Sequence, residues 1–291
     1  MKKTLFTGAC TALVTPVLNG KVNYPMLQQL IRRQIEAGIQ AIVICGTTGE
    51  SATLSDSEKL EMFRRAKQYA QNDCLIIAGT GSNCTEHAVS LSKAAETAGA
   101  DALLVVSPYY NKATADGLLI HYGTIASAVH IPVIAYNVPS RTGVDIPVAV
   151  YQALSQMPNI AGVKEASGDI TKITRIRASC PQDFCLWSGN DDQIVPVISL
   201  GGQGVISVLS NVLPVETQAM AKAALAGDLD TASALQIKLQ PLVEALFSEV
   251  NPIPVKAAMK IIGYDCGECR LPLTPMSEEK RNKLKKLLSA R

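Results

Sequence analysis

The chain has 291 residues, 47% of them apolar and 18% charged, with a formal net charge of +2. That balance supports a sizeable core and excludes a chain too polar to fold. The small net charge gives no electrostatic reason to expect nucleic acid or a strongly acidic partner.

Lys2-Lys3 ahead of Thr4–Val14 imitates a secretory leader, but Gly8 and threonines interrupt the apolar part, and no small-x-small cleavage site clearly follows. The better reading is a first strand, Gly8–Leu13. Seven further apolar runs follow: Ala41–Cys45, Leu75–Gly79, Ala102–Val106, Val133–Asn137, Ile160–Lys164, Phe184–Ser188 and Gly204–Val208. They are continuous rather than alternating, so each is expected to be buried on both faces, as in a parallel sheet. Their spacing of roughly twenty to thirty-five residues is that of a βα unit.

Helix signals fill the gaps. Ser55-Asp56-Ser57-Glu58 is a capping box that opens a helix through Tyr69. Gly38 and Gly99 stand where helices should end, and Pro147 suits the start of another. The segment Ala37–Ile44 is echoed by Ala98–Val105 and more loosely by Gly202–Val208. Repeated units of this kind favour a (β/α)8 TIM barrel, with an open doubly wound sheet as the alternative.

After about residue 226 the strand signals stop. Asp228–Ser248, Pro254–Ile262 and Ser277–Ala290 read as helices. The expected division is therefore a barrel over 1–226 and a C-terminal helical domain over 227–291. The last helix has Ser277 as cap, Glu278 and Glu279 in its first turn and basic residues behind, which suits the helix dipole. A solvated terminal helix is favoured over a membrane-surface one. No stretch reaches the ~18 unbroken apolar residues of a membrane span.

In barrel enzymes the reactive groups gather at the C-terminal ends of the strands. Lys164 ends the sixth run. Desolvation there would favour the neutral amine, the nucleophile that forms a carbinolamine and then an imine with a ketone. The rival reading is a snorkelling lysine paired with Glu165. Tyr136 ends the fifth run and is either a proton donor and acceptor or a packing aromatic. Tyr109 and Tyr110 bring further phenols, and Thr47 a hydroxyl between them, so a proton path is expected. The turn Gly46-Thr47-Thr48-Gly49-Glu50 offers N–H groups and hydroxyls to a small carboxylate, or is simply a tight turn. Arg141 has the planar fork for a second carboxylate, or makes a surface salt bridge.

Three patterns are set aside. Cys266-Gly267-Glu268-Cys269 is a lone CxxC without further ligands at metal spacing. His87, His121 and His130 are not spaced as ligands, so no metal is expected. Gly201-Gly202-Gln203-Gly204 precedes a strand, which makes it a poor dinucleotide fingerprint. Of the eight cysteines, Cys10, Cys45, Cys74 and Cys185 fall in or beside apolar runs. They read as small buried hydrophobes of a reducing, cytoplasmic protein.

Gly46–Glu50, Tyr136-Asn137-Val138-Pro139-Ser140-Arg141-Thr142-Gly143, Val163-Lys164-Glu165-Ala166-Ser167-Gly168 and Asn251-Pro252-Ile253-Pro254-Val255-Lys256 occur in that order. Together they resemble the dihydrodipicolinate synthase family of pyruvate-dependent class I aldolases, from about residue 5 to the C-terminus. The resemblance implies condensation of pyruvate with aspartate semialdehyde in lysine biosynthesis, with no cofactor beyond the imine. Lys164 would form the Schiff base. Tyr136 would be the general acid and base, joined in a relay by Thr47 and by Tyr110 from a neighbouring subunit. The resemblance therefore implies a tight dimer, commonly paired again into a tetramer. Thr47 and Thr48 would hold the pyruvate carboxylate, and Arg141 the semialdehyde. Gly189 and Ile206 would line the pocket with backbone groups.

In feedback-inhibited members of that family lysine binds a cleft matching Ser51, Ala52, Asn83 and Tyr109. Here Lys59 replaces a histidine and His87 a glutamate, so two positive or potentially positive groups would face a cationic ligand, and inhibition by lysine is expected to be weak or absent. Two rival readings stay open. An N-acetylneuraminate lyase would share Lys164 and Tyr136, though the sugar-cleaving members lack the arginine matched by Arg141. A catalytically silent metabolite-binding barrel would gain no covalent mass from pyruvate and borohydride.

Overall fold

The computed structural model of the chain describes residues 2–289. All eight apolar runs become strands: β1 (Gly8–Ala12), β2 (Ala41–Ile44), β3 (Leu75–Gly79), β4 (Ala102–Val106), β5 (Val133–Asn137), β6 (Ile160–Glu165), β7 (Cys185–Ser188) and β8 (Gly204–Ser207). Each pairs in parallel with its neighbours, and β1 pairs with β8, so the sheet closes as a (β/α)8 barrel. An open doubly wound sheet is ruled out.

Alternate residues of a strand face opposite sides, and in a closed barrel both sides are covered. Thus Ala41 and Val43 fill the interior, while Ile42 and Ile44 lie beneath the helices. The interior layer also takes Cys10, Leu104, Ile134 and Trp187, with Phe6 stacked on Trp187 at a centroid distance of 4.7 Å. Burying each larger side chain contributes about 1.5–3 kcal/mol.

The helices are α1 (Tyr24–Glu36), α2 (Asp56–Ala70), α3 (Thr85–Thr97), α4 (Ala115–Ser127), α5 (Pro139–Thr142), α6 (Val148–Ser155), α7 (Ile170–Ser179), α8 (Ile194–Ser199), α9 (Pro214–Leu225), α10 (Leu229–Leu246), α11 (Ile253–Ile261) and α12 (Glu278–Ser289). The capping box at Ser55 forms as expected, with both reciprocal hydrogen bonds to Glu58. Pro147 is the cap of α6 rather than its first residue. Ser277 gives its hydroxyl proton to Glu249 ahead of α12, and the expected helix end at Ala290 lies outside the described residues. The short α5, the short α8 and a two-stranded hairpin, Val17–Leu18 with Lys21–Val22, carry no pattern long enough to be read from sequence. Among the described residues no helix is long and apolar enough to cross a membrane.

Candidate active site

Lys164 and Tyr136 are partners across β5 and β6. Both point into the barrel, where Lys164 is only 5% exposed and its Nζ lies 4.3 Å from the Tyr136 ring centroid. The amine packs on the phenol face and has no carboxylate in ion-pair range among the described residues. Gly189, just past β7, packs on the lysine stem. A Cβ there would lie 3.1 Å from Lys164 Cε and 2.5 Å from Ala166 Cβ, so only glycine fits. Ile206 of β8 belongs to the same interior layer.

Glu165 does not pair with Lys164. The period of two turns it to the outer face, where its carboxylate accepts from Asn137 Nδ2 (2.9 Å), Tyr151 OH (2.8 Å) and Ser167 N (2.8 Å). Lys172 stands 3.8 Å away and also pairs with Asp145. Burial, and then the Glu165 charge, push the Tyr151 phenol well up. This network anchors the end of β6 from behind. Asn137, Glu165 and Ser167 lie within the motifs of β5 and β6, whereas Tyr151, Lys172 and Asp145 belong to none.

The turn after β2 is fixed from the opposite direction. Glu50 has a left-handed φ of 57° and is almost fully buried. Its carboxylate receives Lys256 Nζ at 2.8 Å and Arg270 N at 2.8 Å, and Lys256 also donates to Glu268 O at 3.0 Å. Asn251 Nδ2 donates to Thr48 Oγ1 (3.0 Å), while Asn251 O accepts from Arg141 Nη2 (3.3 Å). The segment before and within α11 therefore braces both the Thr47-Thr48 turn and Arg141. The set-aside CxxC gains a structural use: its loop supplies Glu268 O to Lys256. Gly267 at φ 67° lets that loop approach Val17, because a Cβ would fall 2.0 Å from Val17 O. Burial raises the Cys266 thiol to about 12 and the Cys269 thiol to about 11.

A cavity of about 700 Å³ runs from Thr47 and Arg141 to Ser51, Ala52, Lys59, His87 and Tyr109. It joins the candidate site to the candidate cleft. Asn83 flanks it and accepts from Asn111 Nδ2 through its backbone oxygen at 2.9 Å. Lys59 and His87 of the cleft are not left facing each other. Asp56 takes Lys59 at 3.4 Å and His87 at 2.8 Å, and the His87 hydrogen bond holds its carboxyl below the usual range.

Two expected contacts are not made within this chain. Tyr110 is 89% exposed, held outward by a φ of 72°. No hydrogen bond joins Thr47, Tyr136 and Tyr110 among the described residues; instead Thr47 and Tyr136 line a second cavity of about 30 Å³, room for one water.

The chain matches the model of the dihydrodipicolinate synthetase family over residues 5–291. A 4-hydroxy-tetrahydrodipicolinate synthase from Caldicellulosiruptor saccharolyticus is 50% identical over 285 residues, covering 98% of this chain and 96% of the relative. The crystal structure of dihydrodipicolinate synthase from Aquifex aeolicus superposes with a TM-score of 0.96 at 43% identity, covering 98% of each chain. The chloride-inhibited dihydrodipicolinate synthase from Acinetobacter baumannii, complexed with pyruvate, superposes with a TM-score of 0.96 at 41% identity, covering 98% of each chain.

Proposed function

This chain belongs to the dihydrodipicolinate synthetase family, and we propose that it joins pyruvate to L-aspartate 4-semialdehyde through a Schiff base on Lys164. The observation that carries the reading is a buried lysine at a barrel strand end, lying on a phenol face with no carboxylate in ion-pair range among the described residues. The Lys164 amine adds to C2 of pyruvate while Tyr136 gives a proton to the carbonyl oxygen. That oxygen leaves as water, and the iminium remains. Loss of a C3 proton gives the enamine, whose C3 attacks the aldehyde carbon as its oxygen takes a proton. The substrate's own amine then adds to C2, closes the ring and displaces Lys164, releasing 4-hydroxy-tetrahydrodipicolinate. The iminium is itself the electron sink, so no cofactor or metal enters.

Thr47 and Thr48 bind the pyruvate carboxylate. Their N–H groups have no partner among the described residues, and Thr48 Oγ1 accepts from Asn251, leaving its own proton to donate. Arg141 takes the semialdehyde carboxylate at the cavity wall, and Gly189 and Ile206 line the pocket. Tyr110 points away from its own barrel, which supports a tight dimer in which Tyr110 of the partner subunit completes the relay, and a tetramer of two such dimers. Eight free thiols suit a reducing cytoplasm.

A coupled assay tests this reading. The protein should consume pyruvate with the semialdehyde and leave N-acetylneuraminate intact. Cleavage of the sialic acid without semialdehyde turnover would contradict it.

A further inference from the structure

Asp191 is a carboxylate the chemistry above leaves unused. It lies three residues past β7 and is 2% exposed. Its Oδ2 accepts from the backbone N–H groups of Val208 and Leu209, each at 2.9 Å, just past β8. Its Oδ1 has no partner among the described residues. A buried carboxylate with an idle oxygen is costly unless a positive charge offsets it.

Lys164 is the positive group at this end of the barrel that acts on Asp191. Lys164 lies beside Trp187 across β6 and β7, and its stem leans two residues toward the C-terminal end, where its Cε touches Gly189. Asp191 is two residues further on. Burial pushes the Asp191 carboxyl up, while the Ser207 hydroxyl, the amides of Leu209 and Val208 and the Lys164 charge hold it down. The other titratable neighbours are few. Tyr136 and Cys10 face Lys164 from within the barrel. Asp192 and Glu244 line a cavity of about 460 Å³ beside Asp191, and both are exposed. From α10, Gln236 Nε2 reaches only the Asp191 backbone oxygen, at 2.9 Å. Glu165 is on the outer face.

We propose that Asp191 is the counter-charge of the Lys164 iminium, a positioning residue that favours the imine through the field it sets rather than by touching substrate. The proposal rests on the Schiff-base reading. An anion at this place stabilises the iminium, so without it the imine is weaker.

The test is Asp191→Asn, which keeps the volume and one oxygen for the two N–H groups. Pyruvate is titrated with borohydride at alkaline pH, with the adduct on the Lys164 peptide quantified by mass spectrometry. The pyruvate needed for half trapping should rise about tenfold. Should Asn not fold, Asp191→Ser is measured in the same way, with the same rise expected. A lower melting temperature with the half-trapping concentration unchanged would overturn the proposal. Absence of any Lys164 adduct in the unmodified protein would instead remove the iminium, and the Schiff-base reading with it.

Discussion

Lys164 and Lys256 are buried to nearly the same depth, 5% and 3% exposed, but their surroundings differ in kind. Lys256 has Glu50 at 2.8 Å and a backbone carbonyl at 3.0 Å, so its ammonium is matched and fixed. Lys164 lies against an aromatic face, with its nearest sequence carboxylate turned to the other side of the strand. Burial creates the demand for a partner, and what answers the demand separates a strut from a nucleophile. The strut in turn holds the turn that faces the nucleophile.

Substitutions at the two lysines should separate these roles. Lys164→Ala should lower turnover by about 10⁴-fold or more while leaving a cooperative thermal unfolding transition. If Lys256→Ala lost turnover per folded molecule as completely, the contrast would break. Tyr136→Phe keeps the ring beneath Lys164 and removes the proton; kcat should fall by about 10²–10⁴-fold with little change in melting temperature. Lys256→Met strands a buried Glu50 and should cost about 3–5 kcal/mol in denaturant unfolding, and pairing it with Glu50→Leu should recover part of that loss.

Falling pH should act first on a buried barrel helix and only later on the C-terminal brace. Hydrogen bonding from Arg270 holds the Glu58 carboxyl at about 2, against 4.5 when unfolded. The folded state therefore binds fewer protons, and this contribution is complete above pH 4.5 and is lost as pH falls toward about 2. Burial lowers His121 from 6.5 to about 4, so its neutral ring adds stability above pH 6.5 that is lost as pH falls through about 4. A melting series at falling pH should show both, with Glu58→Gln flattening the lower limb. The smallest effect concerns the cleft. Lys59 and His87 already share Asp56, so modest lysine concentrations should leave the rate unchanged, and strong inhibition would show that the cleft reorganises.

The barrel was legible because eight doubly buried strands need eight unbroken apolar runs, and such runs stand out in any sequence. Lys164, Tyr136 and the Thr47 turn were legible because strand ends are fixed once the strands are. What holds them was not. Glu50 meets Lys256 across more than two hundred residues, and Asp191 finds its donors just past the next strand. Nothing local marks such partners. The quoted Asn251–Lys256 motif pointed at this region without revealing that Asn251 ties Thr48 to Arg141. The two-residue strands of the hairpin and the one-turn α5 are simply shorter than any period that could announce them.

The most direct measurement is peptide mapping by mass spectrometry after treatment with pyruvate and borohydride. One reduced pyruvyl group per chain is expected, on the peptide containing Lys164, and none in Lys164→Ala. An adduct on Lys256 or Lys172, or an undiminished adduct in Lys164→Ala, would contradict it.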